Sequence, residues 1–218
     1  MALPTIPAYD LPQPGDWPAS RAAWTPQTDR MALLVHDMQS YFCAPFVQDA
    51  APLKPLIANI DRLARAARAA GIPVFYTAQQ GNQLPSDRGL QRDLWGPGMS
   101  RDPAHEAILP DLAPQPDDIV LVKHRYSAFQ RSNLQHLMRA RGRDQLMITG
   151  IYSHIGCLAT ASEAFQLDIE PFTIADAQAD FDRARHDMAM SWVASVCGVV
   201  LATQDMLNQL DPAPAHRS

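Results

Sequence analysis

Residues 31–42 read "MALLVHDMQSYF", an apolar run followed at once by His36 and Asp37. So short and so uniformly apolar a run predicts a strand buried on both faces, the kind that lies inside a parallel sheet covered by helices. A parallel strand delivers whatever follows it to the carboxyl edge of its sheet, where open α/β sheets bind their ligands. The residue delivered here is Asp37.

Working outward, strand and helix patterns alternate. Leu53, Leu56, Ile57, Ile60, Leu63, Ala64 and Ala67 form an i, i+3, i+4, i+7 stripe over 53–71 that stops at Gly71. "IPVFYTAQ", "DIVLVK", "DQLMITG", "EPFTIAD" and "GVVLAT" predict strands two to six. Helices are expected over 132–141, 155–168, around 182–197, and at "QDMLNQL". This alternation predicts an α/β fold, a three-layer α-β-α sandwich around a mostly parallel, six-stranded, Rossmann-like sheet. Residues 81–117 are too long for a plain connection and predict a functional loop. Residues 1–30 read as a Pro-rich arm over a single domain spanning 1–218, with a short helix near "PASRAAW".

Composition removes several function classes. Hydrophobic residues make up 47% and charged residues 19%, ordinary for a globular protein. The formal net charge is -5 and the cations are scattered, so neither nucleic acid nor an anionic membrane is an expected partner. No apolar run approaches the roughly 18 residues of a membrane span, and the first residues do not form a secretion signal, so a cytoplasmic location is expected. Cys43, Cys157 and Cys197 are odd in number and widely spaced, which predicts reduced thiols rather than disulfides or a zinc site. No Gly-rich phosphate loop is present, and His36, His124 and His154 lack a compact ligand spacing. Neither a metal nor another cofactor is expected.

The predicted strand ends place polar groups along one edge: Asp37, Gln79, Lys123, and the turn Gly150–Ser153. Singly, an Asp after a strand is often a turn residue and a Lys there is usually solvated. Together, a carboxylate and an ammonium at one sheet edge form an acid/base and anion-binding pair.

These residues resemble the isochorismatase branch of the isochorismatase-like α/β hydrolases, relatives of nicotinamidase. The resemblance covers nearly the whole chain. It rests on "LLVHDMQSYF", "YTAQQG", "RGLQRDLWGPGM", "VKHRYSAF", "GIYSHIGCLATASEAF" and "DIEPFTIADAQADF", in order and in register. Within the family the chain looks most like single-domain enzymes of phenazine biosynthesis, and no carrier-protein domain is expected.

The resemblance implies hydrolysis of an enolpyruvyl vinyl ether, on isochorismate or 2-amino-2-deoxyisochorismate, by a homodimer without a cofactor. It makes Asp37 the acid and Lys123 its partner. Gln79, Arg88, Tyr126, Tyr152 and Gly156 fall on substrate-contacting positions, and Phe42 and Trp95 on apolar walls. It also implies a cis peptide between Ile151 and Tyr152. Amide-cleaving relatives carry a nucleophilic cysteine six residues after the glycine ending strand four. That position is Gly156 here. Cys157 comes one residue late, and a step of about 100° around a helix should turn its thiol towards the core. Two other readings stay open at this point, a cysteine-dependent amidohydrolase of nicotinamidase type and a non-catalytic ligand-binding relative.

Overall fold

The computed structural model describes residues 3–210. Its strands are β1 (Met31–His36), β2 (Val74–Ala78), β3 (Ile119–Val122), β4 (Gln145–Ile151), β5 (Glu170–Ala179) and β6 (Val199–Leu201). They form a six-stranded sheet in the order β3-β2-β1-β4-β5-β6, and every pairing is parallel. The helices are α1 (Ser40–Cys43), α2 (Leu53–Ala69), α3 (Pro85–Arg88), α4 (Gln91–Trp95), α5 (Pro103–Glu106), α6 (Leu134–Arg139), α7 (Leu158–Gln166), α8 (Arg183–Val196) and α9 (Thr203–Leu210).

Alternation along β1 builds the three layers. Met31, Leu33 and Val35 point to one face and pack with Leu56, Ile60 and Leu63 of α2 and Met206 of α9. Ala32 and Leu34 point to the other, against Leu134 and Met138 of α6, Ala161 of α7 and Val193 of α8. Every residue of β1 is buried, as a central parallel strand requires. The predicted α/β sandwich and its six strands are borne out.

The strand order reverses between β1 and β4. Sequential strands run outward from β1 on one side and from β4 on the other, so the crevice between their carboxyl ends is the topological switch point. Gly150 is required there. It pairs with His36 at φ +103°, and a Cβ on it would lie 2.2 Å from the His36 carbonyl oxygen.

Four sequence expectations change. The segment "PASRAAW" is not helical: Arg21 N–H donates to the Ala194 carbonyl and the Ser20 hydroxyl accepts from Val200 N–H, so its hydrogen bonds go to α8 and β6 instead of its own preceding turn. The 132–141 helix is shorter, Leu134–Arg139. The helix expected over 155–168 opens as a π-helical turn, Ser153–Cys157, before α7. Strand five continues past Asp176 to Ala179, with a register shift against β4 between Ile148 and Gly150. The loop 81–117 carries α3, α4, α5 and a 3-10 turn at Pro110–Leu112.

Candidate active site

β1 ends at His36, and Asp37 turns the chain in the left-handed region at φ +52°, a conformation Asp tolerates better than most side chains. The register pairs His36 with Thr77 of β2, which puts the threonine beside Asp37. Thr77 Oγ1 donates to Asp37 Oδ1 at 2.7 Å and accepts from the Asp37 N–H at 3.1 Å. The other carboxylate oxygen, Oδ2, accepts from Lys123 Nζ at 2.8 Å and from Gln79 Nε2 at 3.4 Å. Lys123 follows the last residue of β3 and reaches across the end of β2. Asp37 and Lys123 are 5% and 4% exposed.

Burial pushes the Asp37 carboxyl up, but the Lys123 ammonium, His36 and the hydrogen bonds from Lys123 and Thr77 outweigh it, and its pKa lies below the ordinary carboxylate value. A buried ion pair of this kind adds little net stability because two desolvated charges must be offset. Its presence in a cavity therefore points to chemistry.

The pair lies in a cavity of about 590 Å³. Gln79 is held from behind: Gln39 Nε2 donates to the Gln79 carbonyl at 2.9 Å while Gln79 N–H donates to Gln39 Oε1 at 2.7 Å. The long loop covers the cavity. Arg88 Nη1 donates to Gln79 Oε1 at 3.2 Å, and Trp95 Nε1 to the Tyr126 hydroxyl at 2.7 Å. Gln91 Nε2 adds a bond to the His124 carbonyl at 2.7 Å. Phe42, Tyr152 and Phe181 supply apolar wall, with Tyr152 and Phe181 ring centroids 4.6 Å apart.

All nine residues singled out in the sequence, Asp37, Lys123, Gln79, Arg88, Tyr126, Tyr152, Gly156, Phe42 and Trp95, line this one cavity. Arg88 is buried rather than on the surface. The Tyr152 hydroxyl donates to the Phe42 carbonyl at 2.7 Å, so its proton is committed to the protein. The Ile151–Tyr152 peptide is cis.

Sequence reasoning missed Thr77, Gln39, Tyr41 and Phe181. Phe181 was hidden because Asp176 looks like the end of strand five, whereas its carboxylate is used inside the fold, accepting from Thr203 N–H and the Thr203 hydroxyl at 2.6 and 2.7 Å. Thr77 and Gln39 do their work through β1–β2 register, which sequence does not display.

Cys157 does not line the cavity. It is packed in the core with Ala161 and Ala164, and burial raises its thiol well above the ordinary value. Such a thiol behaves as a small apolar side chain. Cys157→Ala is expected to keep most turnover; loss of activity in a variant that unfolds like the parent would reverse this assignment. The histidines are dispersed: Nδ1 of His154 contacts Asp180 Oδ1 at 2.5 Å and that of His36 contacts the Ile151 carbonyl at 2.7 Å.

A dry carboxylate–ammonium pair, enclosed by aromatic walls at a sheet's switch point, is equipment for proton transfer to a small polar molecule. The isochorismatase domain model matches residues 31–205. The chain is 50% identical over 215 residues to an isochorismatase of Bacillus subtilis, covering 99% of this chain and 69% of that protein. It is 45% identical over 205 residues to phenazine biosynthesis protein PhzD1 of Pseudomonas aeruginosa, covering 94% of this chain and 98% of the relative. Among solved structures, a cysteine hydrolase from Pseudomonas syringae superposes with a TM-score of 0.79 at 27% identity, over 89% of this chain and 97% of that one. The chain belongs to the isochorismatase family and is a hydrolase.

Proposed function

We propose that the protein hydrolyses the enolpyruvyl vinyl ether of isochorismate or 2-amino-2-deoxyisochorismate, releasing pyruvate and a dihydro-hydroxybenzoate or dihydro-hydroxyanthranilate, with Asp37 as general acid. One observation carries this reading: among the described residues the cavity is lined by a buried Asp37–Lys123 pair and by no thiol or serine hydroxyl. A vinyl ether needs no nucleophilic side chain, because one proton delivered to carbon starts its cleavage.

Protonated Asp37 donates to the terminal methylene carbon, which becomes a methyl group and leaves an oxocarbenium ion. Water adds to that cation and returns a proton to the Asp37 carboxylate. The resulting hemiketal breaks the bond between its central carbon and the former ether oxygen as a proton passes from the hemiketal hydroxyl to that oxygen, which gives pyruvate and a hydroxyl on the ring. The sum is one water consumed.

In the free protein Lys123 and the surrounding hydrogen bonds hold Asp37 ionised at neutral pH. A bound substrate with two carboxylates competes for the field of Lys123 and repels an ionised Asp37, so binding raises the carboxyl pKa. Each unit of that rise requires about 1.36 kcal/mol of interaction energy. Arg88 takes one substrate carboxylate through its planar guanidinium, and closure under Trp95 keeps bulk water from the cation.

The same reading includes a homodimer and a cytoplasmic setting. Exposed Val120 and Val122 on edge strand β3 support association, and three buried free cysteines suit a reducing compartment. The amidohydrolase alternative gains no support from Cys157. The deciding assay offers both enolpyruvyl compounds side by side. Pyruvate should appear from at least one, and pretreatment with a thiol-alkylating reagent should leave the rate intact. Binding of both compounds with no pyruvate would favour the non-catalytic alternative.

A further inference from the structure

His36 takes no part in the steps above, yet it forms part of the cavity lining next to Asp37. The ring is 1% exposed. Its Nδ1 lies 2.7 Å from the Ile151 carbonyl oxygen and its Nε2 lies 3.3 Å from the Tyr126 carbonyl oxygen. Carbonyl oxygens only accept, so the shorter contact assigns the proton to Nδ1. The imidazole is thus anchored to the last residue of β4, with the Tyr126 carbonyl packed beside its Nε2 edge.

The remaining edge of the ring faces Gly156. A Cβ built on that glycine would lie 2.1 Å from His36 Cε1, 2.8 Å from Nε2 and 3.1 Å from Nδ1. A surface side chain would swing aside, but this ring is buried and held by its Nδ1–H bond to the Ile151 carbonyl. Gly156 is not in the left-handed region, so space, not backbone conformation, demands glycine. The occupied volume also borders the acid, since His36 Nδ1 is 3.8 Å from Asp37 Oδ2. Any side chain projecting from position 156 into this volume would therefore abut the carboxylate.

We propose that His36 is a specificity-determining residue: its ring fills the volume a side chain at 156 would need to approach Asp37, and so reserves the cavity for acid-catalysed cleavage by excluding a nucleophile there. The catalytic half of this inference rests on the proposed function. The steric half does not.

The test compares Gly156→Cys, His36→Val and the double variant by thermal midpoint and by mass-spectrometric mapping of iodoacetamide labelling. Gly156→Cys alone should lose several degrees, and adding His36→Val should recover more than half of that loss. The introduced thiol in the double variant should be alkylated at least about tenfold faster than buried Cys43, Cys157 and Cys197, since thiol reactivity follows access and thiolate character. If Gly156→Cys fails to fold and the double variant folds, the coupling is shown in its strongest form. Simple addition of the two shifts, failure of both variants to fold, or an introduced thiol as inert as the native ones would overturn the proposal. These readouts do not depend on turnover, so absence of pyruvate release by the parent protein would count against the proposed function alone.

Discussion

Asp37→Asn is expected to bind substrate within a few-fold of the parent and to lose kcat by about 10³- to 10⁴-fold, the upper range for a general acid. The variant is close to a single-atom change. Asn is, with Asp, among the residues that tolerate a positive φ, so the turn at φ +52° should survive. Its amide oxygen can accept from Lys123 or Thr77 as the carboxylate does. What it lacks is a proton acidic enough to pass to carbon. A loss of that size corresponds to about 4 to 5.5 kcal/mol of transition-state stabilisation, more than one disturbed hydrogen bond explains.

The same pair of proteins yields a second readout. The depressed pKa of free Asp37 means that a complex with protonated Asp37 must take up a proton as it forms at neutral pH. Calorimetry of an unreactive analogue in buffers of different ionisation enthalpy should detect that uptake in the parent protein and not in Asp37→Asn. Near-normal turnover by the variant would end the acid scheme.

How much of this was legible in the sequence depends on which force fixed each feature. β1 was readable because a strand buried on both faces must be apolar at every position, and "MALLVH" is. Asp37, Gln79 and Lys123 were readable because parallel strands carry their last residues to one edge, whatever the exact register. The helix near "PASRAAW" was misread because tertiary hydrogen bonds to Ala194 and Val200 replaced local ones. The end of β5 was misread for a similar reason: Asp176 is polar but satisfied by Thr203 and Asn59 within the fold. The relation of His36 to Gly156 lay out of reach, since a steric exclusion between residues 120 positions apart leaves no periodicity behind.

Lys123→Met is expected to invert the way the site contributes to stability across pH. In the parent protein the folded-state pKa of Asp37 lies below its unfolded value near 3.9. Its contribution is therefore fully present above about pH 4 and is lost as pH falls through the folded pKa. Without the ammonium, burial, the largest influence on this carboxyl and the one that raises it, prevails. The folded pKa then lies above the unfolded one, and stability falls as pH rises from about 4, levelling once the folded pKa is passed.

The gap between parent and variant should thus widen with pH, by up to about 1.36 kcal/mol per unit. At neutral pH it should approach the roughly 3 to 5 kcal/mol typical of a buried pair deprived of one partner. Met suits the test because its length and flexibility fill the space of the lysine stem without a charge. Adding Asp37→Asn to Lys123→Met should remove the fall in stability above pH 4, since the carboxyl that causes it is gone. Only His36 still titrates at the centre, with a lowered pKa whose effect on stability has the opposite sign. Denaturation midpoints measured from pH 4 to 8 decide it: a pH-independent gap between Lys123→Met and the parent would mean that Asp37 is not the dry, lysine-dependent carboxylate on which proton transfer to carbon relies.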